Sequence, residues 1–415
     1  MSEADVTAAP SRVGVAPQRP LRSRAFRWFF AGRSISMIGS FMSPVALAFG
    51  VLELTDSAAS LSAVLAAALV PMVATMLIGG GIADRYRRDT VLRLTSLGAG
   101  LSQSGVAVLL LTDRHPALLL PLSALNGVFQ GLTTPALRGI LSNLTVGRGL
   151  QQASSLLASA GNTARIVGPT TAGLLTASVG GGWAIAVDAA SFVLAAACFA
   201  RISLPDLPPR AKGAPTMLAE MREGWTYFRS QRWIWSVTLA FAVFNATNMG
   251  FWQILGPVIA NDTIGPTGWG VVLSARGVGA LLASVVLVKV RLTRRPMRPA
   301  LSSMALATLP LILLGAGADL PWLVATFVAG VAAEFFTVVW ETVNNTHIPE
   351  RLLSRVGAHD EFWSSLSFPL GQLVAPALAA AVGTAAVALT GGGVAAAAML
   401  LTACVPALQR IEIGK

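Results

Sequence analysis

Apolar runs long enough to cross a bilayer recur along this chain, and the short connections between them alternate between strongly basic and almost uncharged. A helix crosses the hydrocarbon core with about 20 residues. Twelve such runs can be drawn, from Trp28–Leu52 at one end to Ala385–Leu408 at the other. Only 12% of residues are charged and 54% are hydrophobic. Soluble domains carry about twice that charge, so lipid is the solvent for most of this chain.

The basic residues set the expected orientation. Of 30 Lys and Arg, 26 fall in the two ends and in every second connection, and Arg114 alone lies in the opposite set. The other three, Arg33, Arg165 and Arg276, fall inside runs. Cytoplasmic loops carry the excess of Lys and Arg. An even number of spans with both termini in the cytoplasm satisfies that rule at every connection, which predicts a multi-pass protein of the cell membrane. The same asymmetry accounts for the net charge of +11 without nucleic acid.

Several chemistries are excluded. Cys198 and Cys404 lie in separate apolar runs and suit neither a disulfide framework nor a metal site. His115, His347 and His359 lack metal-ligand spacing. There is no phosphate-binding glycine loop and no nucleophile paired with a base, so no enzyme, cofactor or metal is expected. Residues 1–20 lack the apolar core of a signal peptide and read as a disordered tail.

Four parts follow: a tail (1–27), a six-span bundle (28–202), a cytoplasmic linker (203–232) and a second six-span bundle (233–415). In the linker, Met217, Met221, Trp225 and Phe228 recur at helical spacing between charged residues, which predicts an amphipathic helix on the cytoplasmic membrane face. The bundles repeat one another weakly. Arg148 precedes Gly168-Pro169 by 20 residues, and Arg355 precedes Ala375-Pro376 by 20. Paired repeats of this size are the architecture of many transporters. The last turn fits either Gly383-Thr384 or Gly391-Gly392-Gly393, and the first gives two helices of comfortable length.

Between the second and third runs the chain reads Gly79-Gly80-Gly81-Ile82-Ala83-Asp84-Arg85-Tyr86-Arg87-Arg88. A basic, glycine-led turn suits a hairpin facing the cytoplasm, and Asp84 with Arg85 could form an ion pair that holds a gate shut. It could equally be a solvated turn that marks topology. This segment resembles the loop between spans two and three of the major facilitator superfamily, through Gly80, Asp84, Arg85 and Arg88. Arg87 stands where that pattern has Gly, and Asp89 where it has a second basic residue. Gly168-Pro169-Thr170-Thr171-Ala172-Gly173 resembles the end of the superfamily's antiporter motif, with Arg165 just before it. The runs Gly127 to Leu137 and Asp188 to Phe192 are similar to the exporter branch that includes enterobactin and macrolide efflux proteins. The resemblance implies an all-α membrane fold of 12 helices in two pseudo-repeated bundles, with spans one, four, seven and ten around a central cavity. Many relatives carry an acid in span one just after a glycine; here Gly39 is followed by Ser40.

Ionisable groups inside the membrane are costly and usually face a cavity or a partner. Glu334 and Glu341 lie seven residues apart on one face of span ten and are the candidates for proton coupling. Glu341 could instead pair with Arg351 or Arg355. Arg165 and Arg276 could neutralise a carboxylate, clamp carbonyls or face substrate, and Asp188 suits helix packing. Ser40, Asn126, Gln130, Asn245, Asn248 and Trp252, with Glu334, form the candidate substrate-binding set. Apolar walls with a few amides suit an amphiphilic organic molecule, although such amides also bond helix to helix. The reading is a monomeric secondary transporter that exports a drug-, antibiotic- or siderophore-like molecule by proton antiport. Uptake of a small solute, or a receptor or scaffold on the same fold, are the alternatives.

Overall fold

The computed structural model describes residues 20–112, 116–145, 148–202, 204, 217–290, 292–317 and 321–412, and among these it is helical with no strand. The first half comprises α1 (Arg24–Thr55), α2 (Ala58–Arg85), α3 (Arg88–Leu111), α4 (Leu119–Leu144), α5 (Arg148–Val179) and α6 (Gly181–Phe199). A linker helix, α7 (Met217–Ser230), follows. Span seven is α8 (Arg232–Phe244) and α9 (Phe251–Asp262), joined by a widened π turn at Asn245–Gly250. Next come α10 (Gly265–Leu287), span nine as α11 (Met297–Leu306) and α12 (Leu309–Gly315), and α13 (Pro321–His347). Span eleven is α14 (Glu350–Ser365) and α15 (Phe368–Val382), and α16 (Thr384–Ala403) with the short α17 (Pro406–Gln409) ends the chain.

Among the described residues, eleven segments are long and apolar enough to span a membrane. The twelfth span is α5, 32 residues long but rich in Gln, Ser, Asn and Thr over its first half. Spans nine and eleven are broken where Pro310 and Pro369 open a new helix, each lacking the backbone donor that would continue the old one. The two halves repeat in detail. Gly180 (φ +91°) turns the chain from α5 to α6, and Gly383 (φ +89°) turns it from α15 to α16. Only glycine holds that backbone without strain, so the final hairpin turns at Gly383.

The halves meet along two seams related by this repeat. At one, α5 crosses α10; at the other, α2 crosses α15. The α5–α10 seam is a backbone contact. A Cβ on Gly173 would sit 2.5 Å from the Pro266 carbonyl oxygen, and one on Gly270 would collide with the Pro169 carbonyl. Ser274 Oγ donates to the Ile166 carbonyl at 2.6 Å and lies 2.7 Å from Thr170 Oγ1. At the other seam Ser62 Oγ donates to the Gln372 carbonyl at 2.6 Å. Interhelical hydrogen bonds inside a membrane contribute about 0.6 kcal/mol each; close packing of small residues does the rest.

Both seams lie toward one side of the molecule. The apolar core shows the same asymmetry. On the side away from the basic connections, one cluster runs across both halves, from Met42 and Leu47 of α1 to Leu255 of α9 and Trp269 of α10. On the basic side each half keeps its own cluster, around Phe29 and Ile140 in the first and around Met304 and Phe336 in the second. The halves are therefore joined on the far side and parted on the basic side.

The linker helix forms as its periodicity predicts, but its apolar stripe is covered by protein rather than laid on the membrane face. Phe228 is buried with Ile348, Leu352 and Val356. Trp225 packs against His359 and Trp363 of α14, with ring centres 5.5 and 5.7 Å apart. Glu223 pairs with Arg355 and, at 3.4 Å, with Arg351. The aromatic side chains that suited a lipid surface find a larger partner in α14. On the same side, Arg294 and Arg295 hold Glu412 at 3.0 and 2.9 Å, which keeps its exposed carboxyl below the usual carboxylate range.

Candidate functional site

A cavity of about 410 Å³ lies where the seams end, at the middle of the molecule. Its walls come from α1, α2 and α5 of the first half and from span seven, α10 and α13 of the second. Trp252 and Trp269 form its aromatic wall, 4.7 Å apart between ring centres, and Trp322 backs them. Trp322 donates its indole N–H to the Pro310 carbonyl at 2.8 Å. Trp252 is 5% exposed, and among the described residues its buried indole Nε1 has no acceptor.

Three charged side chains reach this cavity: Arg165 from α5, Arg276 from α10 and Glu334 from α13. Arg165 lies over the Phe41 ring, 5.7 Å from its centre. Arg276 Nη1 donates to the Met249 sulfur at 3.6 Å. Among the described residues none of the three makes an ion pair. Gln253 also lines the cavity, its amide oxygen accepting from Gln372 Nε2 at 2.9 Å.

The antiporter-like residues form the wall and the seam together. Gly168 packs against Phe41 of α1, Pro169 faces Gly270, Gly173 faces Pro266, and Arg165 enters the cavity. Pro169 removes one backbone hydrogen bond at this point, which allows α5 to bend.

The remaining predicted residues lie elsewhere. Glu341 is exposed, two turns from Glu334 toward the basic side, and Arg351 and Arg355 pair with Glu223 of the linker. Asn126 bonds to the Ala99 carbonyl and to Ser102 of α3 at 3.4 Å, and accepts from Gln130 at 2.5 Å. Asn245 donates to the Ser364 carbonyl at 2.8 Å and Asn248 to the Ala307 carbonyl at 3.4 Å. These amides tie helices together. Ser40 is half-buried and outside the lining. Trp269 and Phe41 are two aromatic residues of the cavity that sequence reasoning did not single out. Trp269 stood in a glycine-rich stretch where a lone large ring has room, and that was its signal.

The side chains of 77–85, with the predicted gate residues Gly80, Asp84 and Arg85, lie outside the described residues. Arg88 donates to the Gly139 carbonyl at 2.5 Å and to Asn143 at 2.7 Å, joining the start of α3 to α4. The two departures from the superfamily pattern compensate one another: Arg87 pairs with Asp89 at 2.9 Å. Asp188 is fully buried under Gly39, where Gln103 donates to it at 2.8 Å.

Residues 15–413 match the model of the family described as transmembrane secretion effector. The chain belongs to this family of major facilitators. It is similar to the multidrug efflux pump Tap of Mycolicibacterium fortuitum, 28% identical over 83% of this chain and 87% of that protein. It is also similar to the enterobactin exporter EntS of Shigella flexneri, 26% identical over 63% of this chain and 60% of that one. In fold it matches the nucleoside transporter NupG with a TM-score of 0.71 at 13% identity, over 90% of this chain and 98% of the other. The POT family transporter PepTSo gives 0.70 at 13% identity, over 94% and 98%. This facilitator is a multi-pass membrane transporter of the efflux type and not an enzyme.

Proposed function

We propose that this facilitator exports a small amphiphilic organic molecule in exchange for protons, by alternating access of the cavity between the halves. The observation that carries the reading is the cavity itself: aromatic, placed at the junction of two pseudo-repeated bundles, with a carboxylate in its wall. Efflux by the relatives Tap and EntS supports the direction of transport. The basic side is the cytoplasmic side of the cell membrane, with both termini there, as the charge asymmetry requires. The arrangement described is then open toward the cytoplasm, where an exporter takes up its load.

Glu334 carries the exchanged proton. A carboxylate with no ion-pair partner in a cavity that closes has good reason to bind one. The turn from Gly80 to Arg88 is the inner gate, anchored to α4 through Arg88. In inverted vesicles containing the protein, an acid-inside pH gradient is expected to drive uptake of fluorescent amphiphiles. A protonophore should abolish that uptake. Uptake that ignores the gradient would refute antiport, and flux only in the reverse direction would refute export.

A further inference from the structure

Two of the three charged side chains that line the cavity are arginines. Arg165 and Arg276 bring guanidinium groups from opposite halves to the lining of one cavity. Neither makes an ion pair among the described residues. Among the described residues Glu334 is the one carboxylate in the lining, and it forms no ion pair with either arginine. The three charged groups sum to one positive charge while Glu334 is ionised.

We propose that the cavity recognises an acid group on its substrate: a carboxylate, or another monoanionic group of similar size, attached to an aromatic or apolar body. The acid lies between Arg165 and Arg276, and the apolar body lies on Trp252 and Trp269. The physical reason is charge balance. Uncompensated charge is expensive in a cavity sealed from water. Once Glu334 has released its proton, one acid group brings the closed cavity to neutrality. Guanidinium groups suit this task because their planar forks match a carboxylate. This deepens the exporter reading and rests on it only for the identity of the site.

The test is binding, so that it does not depend on transport. The full-length protein in lipid nanodiscs is loaded with tritiated naphthaleneacetate. The label is then displaced by unlabelled naphthaleneacetate, by the neutral naphthaleneacetamide, or by the cationic naphthylethylammonium. The acid is expected to displace it at concentrations on the order of tenfold lower than the amide, and the ammonium to compete least. Arg276→Gln and Arg165→Gln should each remove that preference, and Arg276→Lys should retain part of it in a protein of unchanged charge. Equal displacement by acid and amide, or no specific binding of the label, would overturn the proposal. Acid-selective binding without outward flux would sink the exporter reading and leave this site standing. Outward flux of the amide in preference to the acid would do the reverse.

Discussion

Replacing Glu334 by Gln is expected to bring pH-driven exchange in proteoliposomes down to the background of empty vesicles. Gln has nearly the shape and the hydrogen-bonding reach of protonated Glu but cannot release a proton. Among the described residues Glu334 is the one carboxylate in the cavity lining, and no ion pair fixes it in its charged form. Binding should survive, because the aromatic wall and both arginines are untouched. The expected pattern is thus loss of gradient-driven flux with binding retained, and pH dependence absent over the range where the wild type responds. Exchange that keeps the wild-type dependence on the gradient would remove Glu334 from the coupling scheme.

The second large effect belongs to the seam. Gly270→Val should slow transport on the order of tenfold or more while leaving the amount of inserted protein nearly unchanged. A Cβ at Gly270 meets the Pro169 carbonyl, a backbone atom that cannot rotate away. Overpacking of this kind costs about 1–3 kcal/mol. In the arrangement described here the whole cost falls on the joined side, because α5 and α10 touch there. An arrangement with that side parted escapes the clash, so the balance between the two shifts by about 5- to 150-fold. Gly393→Val is the control, since an added Cβ there meets nothing within 4 Å. Equal rates for the wild type and Gly270→Val would mean that the seam never closes as tightly as this structure shows.

Much of the fold was readable in the sequence because two strong signals coincided. The apolar runs are bilayer-length, and the charge of the connections alternates. Even α5 was legible as a span from its place in the alternation, although polar residues fill its first half. The site was readable in part, and the reason is geometric. An ionisable residue within an apolar run is costly enough that its position alone marks it, which singled out Arg165, Arg276 and Glu334. An amide carries a smaller penalty and can be satisfied by any neighbouring helix. Asn245 and Asn248 lie on the same span as Trp252, yet they bond to Ser364 and Ala307 while Trp252 lines the cavity. The π turn at Asn245–Gly250 rotates the faces of that span relative to a regular helix, so residues spaced to share a helical face do not line one wall. The linker shows a related limit. Its amphipathic pattern announces one apolar face but does not say whether lipid or α14 covers it.

Distances between spin labels on the two halves test alternating access most directly. One pair belongs at Gln151 and Val288, exposed on the basic side of α5 and beyond the end of α10; the other at Val179 and Asn261, exposed on the far side. Cys198 and Cys404 are first replaced by Ser. As pH and substrate are varied, the basic-side distance should shorten in the same population in which the far-side distance lengthens. Distances that stay fixed, or that lengthen together on both sides, would contradict a cavity that opens to one side at a time.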